Sequence, residues 1–270
     1  MKAALKYFLI YLGLYLVGAI VLMIPAIIVE SVVYNNDFQS DNFSGWMMSL
    51  LILGSQILPL YVFWKKKYCD LTFIKSPNFL KLLLWMAVGW LGCYLLIMVV
   101  QQYMPRLDWD VELLSDIGNM SLNPVGMICV CLLAGVVEES VFRGAIERKL
   151  LERDWNPWYA IVISALIFAV FHFNLSQGMT ALILGLFLGW VYYRTRNIWL
   201  CIFVHALNNT FSTVGFYITG ESGLSTEQEM YPLYVNLLLL VAAIALLYFS
   251  AQLTAKAIKG NDNDNEQLTA

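Results

Sequence analysis

The chain has 270 residues, of which 60% are apolar and 13% are charged, and its mean hydropathy is +0.68. This composition excludes a water-soluble globular core and predicts one membrane-embedded domain. The net charge is −3, and the basic residues are spread over separate segments rather than gathered on one face, so nucleic-acid binding is not indicated.

Eight apolar runs follow one another along the chain, and most approach the ~20 residues that a membrane-spanning helix needs. They cover residues 7–29, 45–64, 82–103, 124–150, 157–173, 178–193, 197–218 and 232–253. The first run is longer than the h-region of a signal peptide and has no cleavage site before Glu30, so we interpret it as an uncleaved span. The sequence therefore predicts an all-α, polytopic membrane helical bundle with about eight transmembrane helices.

The loop charges predict how this bundle is oriented, because Lys and Arg collect on the cytoplasmic side of membrane proteins. With eight spans, one side holds fifteen of the sixteen basic residues: Lys2, Lys6, Lys65, Lys66, Lys67, Lys75, Lys81, Arg143, Arg148, Lys149, Arg153, Arg194, Arg196, Lys256 and Lys259. The opposite loops hold Arg106 and ten acidic residues: Glu30, Asp37, Asp41, Asp108, Asp110, Glu112, Asp116, Glu221, Glu227 and Glu229. Both termini are therefore predicted to be cytoplasmic.

Three of the apolar runs carry side chains that are costly in a spanning helix unless they face a partner or a cavity. The fourth run contains Glu138, Glu139 and Arg143, the fifth contains His172, and the seventh contains His205, Asn208 and Asn209. The two histidines are the only ones in the chain, and both fall inside predicted spans. Together with a buried glutamate pair, they favour a functional site over isolated packing histidines.

The spacing within the fourth run separates the roles of its two glutamates. Glu139 and Arg143 are four residues apart, with the acid first, which favours an ion pair on one helix face. Glu138 is turned about 100° away. A like charge beside it and removal from water suit Glu138 to act as a general base. The alternative interpretation is a structural Glu–Arg clamp with Glu138 as a bystander.

In the seventh run, His205 and Asn209 are also four residues apart and share a helix face. An imidazole and an amide directed at one point can donate hydrogen bonds to the oxyanion that forms during acyl transfer. Asn208, three residues from His205, could share that face. The alternative is that these side chains connect neighbouring helices by hydrogen bonds.

The motifs Glu-Glu-x-x-x-Arg, Phe-x-x-x-His and His-x-x-x-Asn occur in that order on successive spans. This set resembles the CPBP family of CAAX prenyl proteases and bacteriocin-processing enzymes, which are intramembrane proteases of the Abi type. The resemblance covers about residues 124–218. It implies that Glu138 activates a water together with His172, that His205 and Asn209 hold the oxyanion, and that Glu139 and Arg143 support them.

The resemblance also suggests how the chain is divided. Residues 1–123 would form three spans without a motif, 124–218 the catalytic core, 219–254 the last span, and 255–270 a disordered polar tail. No cofactor is expected. A divalent metal such as zinc is an alternative, because two histidines and a glutamate can form a catalytic zinc site. Against a metal, the spacing is not HExxH, and Arg143 would oppose a cation.

The predicted function is an intramembrane endopeptidase that hydrolyses a peptide bond with an activated water. The expected partners are the lipid bilayer and a peptide or protein substrate entering from the membrane or the cytoplasmic side, with no nucleic acid. The chain is expected to be a multi-pass integral membrane protein of a bacterial cell (inner) membrane. Two alternatives are a non-catalytic membrane binding or immunity protein and a proton-coupled transporter, although the inverted repeat typical of many transporters is not visible.

Overall fold

The computed structural model describes residues 2–33, 44–73, 78–105, 107–220 and 230–269. Within these ranges every regular element is a helix. The nine helices of the described residues are α1 (Lys2–Val33), α2 (Gly45–Lys65), α3 (Phe79–Gln101), α4 (Asp108–Met120), α5 (Pro124–Leu151), α6 (Pro157–Phe171), α7 (Leu175–Thr195), α8 (Ile198–Thr219) and α9 (Leu233–Thr269). The predicted all-α fold class is confirmed.

Each of the eight predicted runs corresponds to one helix, and six of those helices are long and apolar enough to cross a membrane by length and composition. They are α1, α2, α3, α5, α7 and α9. Helix α6 has only 15 residues and spans about 22 Å, less than the ~30 Å hydrocarbon core. Helix α8, with 22 residues, is long enough to cross a membrane. It is not among the six because its second half is rich in amide and hydroxyl side chains.

Helix α4 is the element that the sequence analysis does not predict. It has 13 residues and an exposed polar face, so it lacks both the length and the apolar content of a span. Asp108 and Asp110 lie in its first turn, where a negative charge is favourable because it faces the positive end of the helix dipole. The acidic loop of the charge analysis is thus a short amphipathic helix.

Helix α5 departs from regular α geometry on both sides of its glutamates. It begins at Pro124, where the Asn123 side chain caps the helix by accepting a hydrogen bond from the Gly126 N–H at 3.0 Å. Two π-helical segments, Cys129–Leu133 and Phe142–Glu147, then flank the α-helical stretch Ala134–Val141. Such π turns are rare and occur mostly at functional sites.

The chain divides into two compact units. The first comprises Met1–Leu71, Leu107–Arg153 and Ala206–Thr226, and the second comprises Thr72–Arg106, Asp154–His205 and Glu227–Ala270. The units interleave along the sequence. The predicted domain boundaries at residues 124, 218 and 254 stay predictions.

In the first unit, α1 and α2 pack closely because both lack a side chain where they meet. A Cβ on Gly18 would lie 2.1 Å from the Gly54 carbonyl oxygen, so any larger residue would push the helices apart. The Tyr7 and Phe63 rings lie 6.3 Å apart further along the pair. Because the partner numbers fall as the α1 numbers rise, the two helices are antiparallel.

Helix α5 packs in the same unit against α2 and against the second half of α8. The Asn123 amide donates to the Ser49 hydroxyl at 2.8 Å, and Gln56 donates to the Cys129 carbonyl at 3.2 Å, so α2 and α5 run in parallel. The Tyr217 hydroxyl donates to the Ser121 carbonyl at 3.4 Å. These side-chain bonds hold the α5 backbone where the glutamates follow.

In the second unit, α3 and α9 form a long antiparallel pair. Asn78 donates to the Ala257 carbonyl at one end, and Gln102 donates to the Asn236 side-chain oxygen at the other. Helix α7 packs against both α3 and α6. Within each unit taken by itself, the packed pairs have the directions expected if consecutive predicted spans alternate across a bilayer.

The location of the termini on the cytoplasmic side stays a prediction. Seven of the charges used for it lie outside the described residues: Asp37, Asp41, Lys75, Arg106, Glu221, Glu227 and Glu229. At the C-terminus, the backbone of α9 is helical to Thr269, and the disordered tail expected for residues 255–270 stays a prediction. Extending an existing helix needs no new nucleus, so a polar tail can continue it.

Candidate active site

Two of the buried charged side chains of α5, Glu139 and Arg143, form an ion pair. An Nη1 atom of Arg143 lies 2.8 Å from Oε1 of Glu139, and both side chains are 0% exposed. This is the pair that the four-residue spacing predicts. Removing either partner would leave an uncompensated charge in a medium of low dielectric constant, so the two residues are interdependent.

Glu138 lies beside this pair but is half-buried rather than fully enclosed. Its carboxylate is close enough to Tyr11 and Tyr15 of α1 for its charge to act on both phenol groups. The two adjacent glutamates therefore have different surroundings. Glu139 is paired with the Arg143 guanidinium. The Glu138 carboxylate instead interacts with the phenol groups of two tyrosines.

The amide of Asn209 is held against the first π segment of α5. Its Nδ2 donates to the Val130 carbonyl at 2.9 Å, and its Oδ1 accepts a hydrogen bond from Asn208 at 3.4 Å. An amide nitrogen carries two hydrogens, so the bond to Val130 leaves one for another acceptor. Asn208 thus orients Asn209. This contact distinguishes the two amides that the sequence leaves as alternatives for binding the oxyanion.

His172 is the residue at which α6 ends, not a residue within a continuous span. It caps the helix, and its Nδ1 lies 2.9 Å from the Phe168 carbonyl oxygen. A carbonyl only accepts, so Nδ1 carries the hydrogen in this contact. In a neutral imidazole, the other nitrogen, Nε2, then has a lone pair that can accept a proton.

The two histidines of the second unit meet at one aromatic ring. The Phe168 ring lies 4.9 Å from the His172 ring and 5.7 Å from the His205 ring, both in edge-on arrangements. His205 is 3% exposed and Phe168 is 1% exposed. Residues that are 33 positions apart in sequence are thus brought together through a shared packing partner.

The structure therefore gathers the predicted residues into two groups. In the first unit, Glu138, Glu139 and Arg143 lie on α5. Asn209, on α8, is hydrogen-bonded to the backbone of α5. In the second unit, His172 and His205 flank Phe168. Within α8, His205 and Asn209 lie four residues apart on an uninterrupted helix.

Residues 120–211 match a family model described as type II CAAX prenyl endopeptidase Rce1-like. All six predicted site residues lie inside that segment. This segment is similar to the CAAX prenyl endopeptidase family. The resemblance seen in the three motifs is thereby confirmed, and the six apolar helices make the chain an integral membrane protein.

A curated relative supports the same assignment. The protein named "Putative membrane peptidase YdiL" of Bacillus subtilis (strain 168) is 32% identical over 91 residues, which is 34% of this chain. The match covers 37% of the relative, little more than a third of its length. No solved structure matches the chain significantly. The similarity to known proteins therefore lies in the segment that carries the polar residues.

Sequence reasoning missed three residues that contact the site. Phe168 belongs to the Phe-x-x-x-His motif, but the motif alone assigns it no role. Tyr11 and Tyr15 lie in the first run, which carries no family motif. The available signal was a row of tyrosines at four-residue spacing, since these place three phenol groups along one helix face.

A catalytic zinc site would need three protein side chains that bind the metal. Over the residues that the structure describes, no three or more His, Cys, Asp or Glu side chains are grouped to hold a metal ion. The carboxylate of Glu139 is already ion-paired with Arg143.

Proposed function

We propose that this protein is an intramembrane endopeptidase that hydrolyses a peptide bond by direct attack of water. The observation that carries the proposal is that one family segment, residues 120–211, contains all six polar residues. The buried Glu139–Arg143 pair adds to it, because such an arrangement leaves a second carboxylate with a different environment next to a neutralised one.

In the proposed reaction, Glu138 accepts a proton from a water that Nε2 of His172 helps to orient. The water oxygen bonds to the carbonyl carbon of the substrate, and the carbonyl electrons move to its oxygen. His205 and the second N–H of Asn209 donate to this oxyanion. Glu138 then returns the proton to the leaving nitrogen as the C–N bond breaks.

Local structure supports these roles residue by residue. The contact of His172 Nδ1 with a backbone carbonyl favours the tautomer in which Nε2 is the acceptor. The bonds of Asn209 to Val130 and Asn208 limit the rotation of its amide, so that a donor is aimed before the substrate arrives. Preorganised donors of this kind contribute to rate because they need no reorientation during the reaction.

The substrate is proposed as a peptide or protein that reaches the site from the bilayer or the cytoplasmic side. The proposed location is a bacterial cell membrane, in keeping with the bacterial relative.

The test compares the termini of membrane proteins after incubation with purified full-length variants. Glu138→Gln and His205→Ala should lose the new termini that the unmodified protein produces. Glu152→Gln is the matched control, since Glu152 is a half-exposed glutamate whose partner is the exposed Lys149. Identical termini with active protein and with Glu138→Gln would exclude the mechanism and favour a non-catalytic binding protein.

A further inference from the structure

Helix α1 lies outside the family segment, yet it contacts the part of α5 that carries the glutamates. Its tyrosines Tyr7, Tyr11 and Tyr15 are spaced by four residues and so follow one face of the helix. A phenol combines an apolar ring with a hydroxyl that needs a hydrogen-bond partner when buried. The surroundings of each of the three tyrosines therefore indicate what that side chain does.

Tyr7, the first of the three, packs away from the glutamates. Its ring lies 5.0 Å from that of Tyr68 and 6.3 Å from that of Phe63. These contacts close the end of the α1–α2 pair. Tyr7 is therefore a packing residue and a reference for the other two tyrosines.

Tyr11, one turn further on, is fully buried at 0% exposure. Its ring meets the Phe142 ring edge-on at 5.8 Å, and the Phe142 N–H donates to the Glu138 carbonyl one turn earlier in α5. Tyr11 therefore packs on the helical turn that begins at Glu138. The Glu138 charge acts on its phenol group, which brings the hydroxyl and the carboxylate into one neighbourhood.

Tyr15 has a different partner for its hydrogen. The Ser55 hydroxyl donates to the Leu51 carbonyl at 2.9 Å, so its oxygen is left to accept from the Tyr15 hydroxyl, with which it is hydrogen-bonded. The Tyr15 ring also packs edge-on against Tyr11 at 5.9 Å. Tyr15 thus braces the Tyr11 ring while its own proton points towards α2.

We propose that Tyr11 is a positioning residue for Glu138, holding the carboxylate in one orientation with its buried hydroxyl, and that Tyr15 supports Tyr11. This inference rests on the proposed function, in which Glu138 is the base. A glutamate side chain has three rotatable bonds, and a base contributes fully only when its oxygen is held towards the water. The close approach of α1 to α2 at Gly18 and Gly54 makes α1 a rigid support for such a contact.

The first experiment measures kcat and KM for Tyr11→Phe, which keeps the ring on Phe142 and removes only the hydroxyl. We expect kcat to fall about 10-fold with KM unchanged, the size typical of losing a group that orients a reacting residue. Tyr7→Phe is the matched control on the same helix and should keep the kcat of the unmodified protein. A Tyr11→Phe variant with an unchanged kcat would overturn the positioning role while leaving the proposed function intact.

The second experiment needs no substrate. The thermal unfolding midpoint is measured for Tyr11→Phe in the unmodified background and in the Glu138→Gln background. Charge-assisted hydrogen bonds are about twice as strong as neutral ones, so the midpoint change should be about halved when the carboxylate is absent. Tyr7→Phe should change the midpoint equally in both backgrounds.

The two experiments separate the possible failures. Equal midpoint changes for Tyr11→Phe in both backgrounds would show that the hydroxyl and the carboxylate do not interact, and would overturn this inference. Absence of cleavage by the unmodified protein would overturn the proposed function, and the midpoint comparison would still decide whether Tyr11 contacts Glu138.

Discussion

The glutamate group of the first unit and the histidine group of the second are built in different ways. Glu139 and Arg143 are fully buried opposite charges that lie 2.8 Å apart, on a helix whose geometry changes to π on both sides. His172 and His205 pack on one phenylalanine ring, and His172 also contacts a backbone carbonyl. A carboxylate removed from water is stabilised by an opposite charge, whereas a neutral imidazole has one donor and one acceptor nitrogen, which uncharged partners can satisfy.

This difference predicts that the first unit depends on charge and the second on shape. Substitutions that remove charge should be most harmful around α5. Substitutions that keep polarity but change the packing volume should be most harmful around Phe168. The experiments below test the comparison in order of expected effect.

The largest effect is expected for Arg143→Met, which leaves Glu139 buried without its cation. We expect the free energy of unfolding to fall by about 3–5 kcal/mol. Chemical or thermal unfolding in detergent measures this loss. Arg194→Met, at an exposed arginine, is the control and should change the free energy by less than about 0.5 kcal/mol. Equal losses would show that the buried pair has no special role.

A double replacement tests whether this loss of stability comes from the unpaired charge. Changing Glu139→Gln together with Arg143→Met removes both charges, so it should recover much of the stability that the single change loses. A double variant as unstable as Arg143→Met alone would mean that packing, and not charge, dominates at α5. The comparison between the two units would then fail.

The next largest effect is expected on kcat, from replacing Asn209, whose amide is hydrogen-bonded to α5. Asn209→Ala removes a donor to the oxyanion and should lower kcat by about 10²–10³-fold, or about 2.7–4 kcal/mol. Asn208→Ala removes only the contact that orients Asn209, so its loss should be smaller, about 10-fold. Steady-state cleavage kinetics distinguish them. A larger loss for Asn208→Ala would reverse the assignment of the two amides.

A smaller effect is expected at the ring between the histidines. Phe168→Leu keeps an apolar side chain but loses the flat surface on which both imidazoles pack, so unfolding should become easier by about 1–2 kcal/mol and kcat should fall. Phe171→Leu is the matched control, since the Phe171 ring also lies beside the His172 ring, at 6.0 Å. Equal kcat losses would contradict a shared role for Phe168.

The smallest effect is expected from metal removal. Because cleavage is assigned to Glu138 and a water, treatment with a chelator followed by dialysis should leave kcat unchanged. Metal content and cleavage rate, measured on the same sample, check this. A lost activity that zinc restores would replace the proposed mechanism with a metal-assisted one.

Much of the fold could be predicted from the sequence because a bilayer accepts few structures. Backbone groups in lipid must bond within their own segment, so each long apolar run becomes a helix, as at α1, α3 and α9. The same reasoning fails for α4, whose 13 residues are polar on one side. The 15-residue length of α6 and its end at His172 also required the structure.

The candidate site divides in the same way. The Glu139–Arg143 pair could be predicted because both residues lie on one helix, where a spacing of four residues determines which side chains meet. The contacts of Asn209 with Val130 and of Phe168 with His205 join distant parts of the chain. No local periodicity encodes such contacts, since they depend on how whole helices pack.

From the sequence alone, the apolar helices and the polar residues that share a helix face could be predicted, since both follow from local periodicity and from the exclusion of water from the bilayer. The surroundings of each polar group required the tertiary structure. It placed Tyr11 on the turn of Glu138 and put Phe168 between two histidines. The physical reason is that an apolar run predicts a helix but does not indicate which neighbour that helix packs against.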